Sequence, residues 1–240
     1  MFGRTALCQK PAVRMDARAS RFRRRLSVAR RALAGLSAVP ACSAVVLSAC
    51  SNPPPKAAVP PTAHEYADKL IVGLDDVRRI TNFEGLQRYS YADRHRPFQG
   101  NQSAPGPCGA VGSTEQTFPM GWKNYRAVAY SGTTDDLRPF GISPINQISQ
   151  AVAIYRDAHA ASAALDRLET ILNACAALHD KAYEFDMSRS DPSTLKLTSA
   201  RWSHLYRAKS SVLMSVGVLG IEPTEQIAYS PLQKITDRIK

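Results

Sequence analysis

The chain has 240 residues and a formal charge of +11, a balance that invites a nucleic-acid reading. The distribution of that charge excludes it. Residues 1–49 hold ten Lys/Arg against one acidic residue, Asp16, whereas the remaining 191 residues hold 21 basic and 19 acidic side chains. A near-neutral body has no global field with which to hold a polyanion, so nucleic acid is not expected as a partner.

The first 49 residues read as an address. Arg21, Arg23, Arg24, Arg25, Arg30 and Arg31 precede the uncharged run Ala32 to Ala49, which ends in Leu47-Ser48-Ala49-Cys50. Basic region, apolar region and small-residue cleavage site, in that order, are the layout of a secretory signal. The last four residues look like a bacterial lipobox, whose cysteine is acylated and becomes the new N-terminus. An uncleaved membrane anchor or an ordinary signal peptide is the alternative. The 18-residue run just reaches spanning length, but it carries Pro40 and is mostly Ala and Ser. Met15 is an alternative start to Met1. Residues 1–49 are therefore expected to be cleaved. Residues 50–63, a lipidated Cys50 and a stretch with five prolines in thirteen residues, form an extended tether. The 177 residues 64–240 then make one domain, long enough to bury a real core.

Within that domain, Leu70 to Ile80 predicts a short helix opening near Asp75, capped by Asp75 or Asp76, with Val77 and Ile80 inward. Residues 89–121 are rich in Pro, Gly, Asn, Gln and Ser and read as loop. Alternation then predicts strands over 124–131 and 147–155, joined by the turn-rich 133–144. Ala161, Leu165, Leu168, Leu172 and Cys175 recur at spacings of four and three, which predicts a helix capped by Asp157 and running to about Leu178. Strands follow at 193–199, 202–209 and 211–219, the last apolar on both faces and so placed at the centre of a sheet. The terminal segment, about Thr224 to Ile239, predicts a helix broken near Pro231, with Ser230 as a cap. Strands in hairpin-like succession with helices at flank and end give an α+β domain: a twisted antiparallel sheet, one long packed helix and a C-terminal helix.

Outside the leader and Cys50, two cysteines remain, Cys108 and Cys175. An even count in an oxidising compartment predicts one disulfide, with two buried free thiols as the alternative. Catalytic patterns are scarce. Ser193-Thr-Leu-Lys196 matches S-x-x-K, but residues three apart on a strand point to opposite faces, and neither S-D-N nor K-T-G follows. There is no G-x-S-x-G, H-E-x-x-H, P-loop or Rossmann fingerprint, so no cofactor and no metal are expected. His95, His159 and His179 read as surface or capping histidines. Trp202, His204 and Tyr206 share one face of a strand, and Tyr125, Tyr130 and Tyr155 lie on other strands. These six aromatic residues are the candidate lining of a cleft for an apolar or glycan ligand, with core packing as the competing reading.

The order Pro107-Cys108-Gly109-Ala110-Val111, the Trp122 to Ser131 strand, Gln147 to Tyr155 leading to Asn173-Ala174-Cys175, the strand 211–219 and the terminal helix resembles one family. It is similar to the extracellular sensor domain of the mycobacterial serine/threonine kinase PknH and to the stand-alone lipoproteins with the same module. Family members typically carry two disulfides. The resemblance transfers one, Cys108–Cys175, and the second is absent here. It implies a ligand-sensing or binding module with a cleft and no catalytic activity; with the lipobox at Cys50, the expectation is a lipid-anchored module on the extracytoplasmic side of the cell membrane in a mycobacterial envelope. Its expected partners are the membrane, through the lipid, and an apolar or glycan envelope ligand or an envelope protein. A structural or protein-interaction lipoprotein without a small ligand is the first alternative, and an envelope hydrolase the second.

Overall fold

The computed structural model describes residues 63–100, 103–134 and 144–240. The leader, Cys50, the prolines of the tether and most of the 133–144 connection lie outside the described residues. Helices α1 (Ala63–Leu70) and α2 (Leu74–Thr81) open the described part, followed by a two-residue strand β1 (Gln87–Arg88). Strands β2 (Asn124–Thr133) and β3 (Ile145–Ile154) precede α3 (Ala158–Ala176). Then come β4 (Asp186–Asp191), β5 (Thr194–Ser199), β6 (Trp202–Lys209), β7 (Val212–Leu219) and α4 (Thr224–Arg238). The strands form one antiparallel sheet in the order β1-β2-β3-β7-β6-β5-β4, so β7 is central as its two apolar faces predict. The architecture is α+β.

Period-two alternation divides the side chains between two cores. On one face, Val128, Ile148, Val152, Leu205, Met214 and Val216 pack under α1, α2 and α4. On the other, Leu165, Leu168 and Leu172 of α3 pack on Ala151, Ala153, Leu197, Tyr206 and Leu213. The Asp157 carboxylate caps α3 by accepting the Ala160 N–H at 2.8 Å. Cys175, on the buried stripe of α3, is bonded to Cys108, with the two Cα atoms 4.8 Å apart.

Two expectations need correction. α2 is capped by Gly73 without a side-chain bond, and Asp75 and Asp76 lie inside its first turn, paired to Arg78 and Arg79. There the carboxylates still meet the positive end of the helix dipole. The terminal helix is continuous from Thr224 to Arg238 with Pro231 inside it, and the Ser230 hydroxyl donates back to the Gln226 carbonyl at 3.5 Å. A mid-helix proline costs about 3 kcal/mol. Here Ile227, Ala228, Leu232 and Ile235, buried on both sides of it, supply the packing that keeps the helix in one piece. Three elements were not anticipated. β4 (Asp-Met-Ser-Arg-Ser-Asp) is almost wholly exposed, β1 has two residues, and α1 is a single amphipathic turn-pair.

The α1–α2 corner is clasped to the sheet by two side chains, Gln150 and Tyr130. Gln150, buried in β3, accepts the Val72 N–H at 2.9 Å and donates to its carbonyl at 3.1 Å, and Tyr130 Oη donates to that carbonyl at 2.9 Å. Gln150→Leu leaves the Val72 N–H buried without a partner, and is expected to lower stability by about 2 kcal/mol. Urea titration of the variant against wild type measures it. A neutral result would mean that water reaches the corner.

Candidate functional site

Where α3 does not cover its face of the sheet, the side chains shrink. Down β7 that face runs Leu213, Ser215, Gly217, and the antiparallel register carries the small residues across the neighbouring strands. Ala129 pairs with Ser149, Ser149 with Gly217, and Gly217 with His204, so one row crosses β2, β3, β7 and β6. The row above it is Ala127, Ala151, Ser215, Tyr206, and the row below is Ser131, Gln147, Leu219, Trp202. Small residues in the middle row leave a groove that runs across the strands. Four strands at about 4.8 Å spacing give it a length of roughly 14 Å.

The groove has two lobes that share Val111, Gln147 and Ser149. The larger, about 460 Å³, lies over β2 and β3, and the smaller, about 240 Å³, lies over β7 and β6 beside Trp202 and His204. The larger lobe is walled on one side by the segment from Tyr89 to Phe98. That segment is pinned to the edge of β2 by Tyr89 N–H to Ala129 carbonyl at 2.9 Å and by a reciprocal bridge between Arg94 and Ala127. Asp93 closes its base with ion pairs to Arg88 and Arg126. Burial raises the Asp93 carboxyl, but hydrogen bonds and charge from Arg126 and Arg88 outweigh it and hold the group below the usual carboxylate range.

A second wall is the loop after Cys108, which joins the first where Phe98 pairs with Thr114. Gly112 N–H donates to Tyr206 Oη at 3.0 Å, and Ser113 Oγ lies 3.1 Å from Ser215 Oγ. Ser215 Oγ in turn lies 2.6 Å from Nε2 of His204, whose ring stacks on Tyr206 with centroids 4.6 Å apart. Burial depresses the His204 pKa to about 3, so the ring is neutral. A serine–histidine contact of this length has the form of a nucleophile and its base. Ser215, however, is fully buried, and the pair is the interior end of a polar chain that stops at the half-buried Ser113. The S-x-x-K pair does not meet either: Ser193 donates to Asp191 and Lys196 to Glu225. Among the described residues no group of three His, Cys, Asp or Glu side chains is placed to hold a metal, and no helix is long and apolar enough to cross a membrane.

Gly217 leaves the space over the central strand that the His204 ring and the Ser149 hydroxyl occupy from either side. A Cβ there would lie 2.6 Å from His204 Nδ1 and 2.8 Å from Ser149 Oγ. The histidine ring, stacked and hydrogen-bonded, cannot swing away cheaply. Gly217→Ala is expected to cost about 2 kcal/mol by overpacking and to narrow the junction of the lobes. Thermal unfolding of the variant checks the first, and its effect on ligand uptake the second.

The six predicted aromatic residues are not brought into one site. His204 and Trp202 border the smaller lobe and Tyr125 the larger, with its ring edge-on to Phe118 at 5.2 Å. Tyr206 lies one row back and supports the loop through Gly112. Tyr155 lies at the far end of β3, its hydroxyl donating to the Pro119 carbonyl at 3.1 Å, and Tyr130 is on the opposite face of the sheet with Val72. Burial pushes the phenols of Tyr125, Tyr130, Tyr155 and Tyr206 up. Sequence reasoning missed Tyr89, Tyr91, Arg94 and Phe98 on one wall, and Gln147, Ser149 and Gly217 on the floor. Three aromatics within a turn-rich segment were an available signal. The floor had none without the strand register.

A profile described as "PknH-like extracellular domain" matches residues 62–238. The crystal structure of the extracellular domain of PknH from Mycobacterium tuberculosis superposes with a TM-score of 0.56 at 18% identity, covering 74% of this chain and 96% of that one. At that identity the likeness is one of fold. No curated protein matches the chain.

Proposed function

Because the chain belongs to the family of PknH-like extracellular domains, we propose that it is a sensor-like, non-enzymatic module. In this reading it binds a ligand outside the cytoplasm and is held to the cell membrane by an acyl group on Cys50. The observation that supports ligand binding is the groove across β2, β3, β7 and β6. Its larger lobe, about 460 Å³, falls in the range of small-molecule sites, and it combines apolar walls with a few polar groups. The wall loop is stapled to α3 through Cys108–Cys175, so the groove is largely preformed. The family description supports the extracytoplasmic location, and the lipobox supports the anchor.

Native mass spectra of the full-length, detergent-extracted protein from a lipoprotein-processing bacterial host test the reading. The expected result is an extra mass beyond the acylated chain, lost in Ser149→Tyr, which fills the junction of the lobes. A bare chain mass would overturn ligand binding. Incorporation of a radiolabelled fatty acid is expected to vanish in Cys50→Ala. Labelling that persists would remove the anchor.

A further inference from the structure

Three features of the larger lobe bear on what it binds. Tyr89, Tyr91 and Phe98 are 43%, 73% and 49% exposed on one short segment that lines the groove. Exposed aromatics grouped in this way mark binding surfaces, and their faces suit the C–H face of a sugar ring.

The second feature is Arg94. Its guanidinium lies 5.1 Å from the centre of the Phe98 ring and its Nε donates to the Tyr91 carbonyl at 2.7 Å. Its neighbours Arg88 and Arg126 are both paired to Asp93, whereas Arg94 makes no ion pair among the described residues. The side chain is thus oriented by two contacts while its charge stays unneutralised. A planar fork held in that way suits a carboxylate or phosphate.

The third feature separates a sugar from an alkyl chain. Gln147 and Ser149 are half-buried where the two lobes meet, and neither makes a side-chain hydrogen bond among the described residues. An acyl chain laid over them would bury an amide and a hydroxyl without partners, which costs their hydration with nothing in return. A polyol satisfies both.

We infer that the groove takes a saccharide carrying an acidic substituent, with a ring on the Tyr89–Tyr91–Phe98 wall, hydroxyls on Gln147 and Ser149, and its carboxylate or phosphate on Arg94. The inference rests on the groove being the binding site. Free oligosaccharides and glycolipid head groups share this chemistry.

Saturation-transfer NMR titrations of the full-length protein in detergent test it, with cellobiouronic acid, its neutral counterpart cellobiose, and glucose 6-phosphate as probes. The two acidic probes are expected to bind at least tenfold more tightly than cellobiose. Arg94→Gln is expected to remove that difference, bringing the acidic probes to the level of cellobiose in the same variant. Arg94→Lys should restore part of it, and Tyr91→Ala, at a highly exposed position, should weaken all three. Equal binding of acidic and neutral sugars, or a preference that survives Arg94→Gln, would overturn the inference. Failure of all three sugars to bind while the native spectra retain a mass sensitive to Ser149→Tyr would overturn the saccharide assignment and leave the groove standing. Failure of both would remove the groove as well. Vesicles bearing a glucuronosyl lipid that displace cellobiouronic acid would assign the chemistry to a head group. A lack of displacement alongside binding of the soluble acid would assign it to a free saccharide.

Discussion

Replacing both bridging cysteines, Cys108→Ala with Cys175→Ala, is expected to cost about 4 kcal/mol of stability. The two lie 67 residues apart, and closing a loop of that length removes about 4 kcal/mol of entropy from the unfolded chain. Both are 1% exposed, so the double alanine variant avoids burying a free thiol beside an apolar partner. The consequence is also local. Cys108 sits in the 3-10 turn Gly106–Ala110, and the groove wall Val111–Thr114 follows directly. In the variant that wall is held by Gly112–Tyr206 and by Thr117, whose hydroxyl donates to the Ala110 and Gly112 carbonyls at 2.8 and 3.0 Å. These bonds fix the shape of the loop more than its place on α3. Urea unfolding with and without reductant measures the effect: wild type should lose its advantage on reduction, and the variant should be indifferent. A loss below about 1 kcal/mol would mean that the loop's own bonds suffice.

Acid should act through His204. The folded-state pKa, about 3, lies below the ordinary 6.5, and burial is the cause. Between those values the unfolded chain binds a proton that the folded chain refuses. The histidine's contribution is therefore complete above about pH 6.5 and is lost as pH falls towards 3. Linkage puts the loss at about 3 kcal/mol between pH 7 and pH 4. The groups against the ring are Tyr206 by stacking and Ser215 by hydrogen bond, neither of which titrates in that window. Carboxylates such as Asp93 and Asp191, whose pKa values are lowered, also contribute to acid lability, so a control is needed. His204→Gln should flatten the difference in stability between pH 7 and pH 4 by about that amount. An unchanged slope would show that the ring is protonated in place or is reached by solvent.

Five strands and the long helix were legible before the structure because each carries its own local pattern. β2 and β3 alternate, β7 is a continuous apolar run with β5 and β6 as short strand-like runs before it, and α3 repeats at three and four, so local patterning and tertiary burial agree. β4 was not legible. Its sequence carries no apolar face, and it is held by backbone pairing to β5, with Asp186 opposite Thr198, by Met187 against the α3-side core and by Arg189 paired to Asp166 and Glu169 of α3. The break expected at Pro231 follows from a sound local rule, which the packing of α4 on β6 and β7 overrides.

By itself the sequence determined the α+β class, the central place of β7, the Cys108–Cys175 pairing and the absence of a basic body, because all of these depend on composition, count or period along the chain. Tertiary structure alone decided the groove. Its floor residues Ala129, Ser149, Gly217 and His204 come from four strands and become neighbours only through the register. Tyr130 and Tyr125 show the same dependence. Five residues apart on one strand, they lie on opposite faces, one clasping the α1–α2 corner and the other bordering the groove. Which half of a face stays open depends on where α3 ends and how small the side chains beyond it are, a relation between elements far apart in the chain that no local pattern encodes.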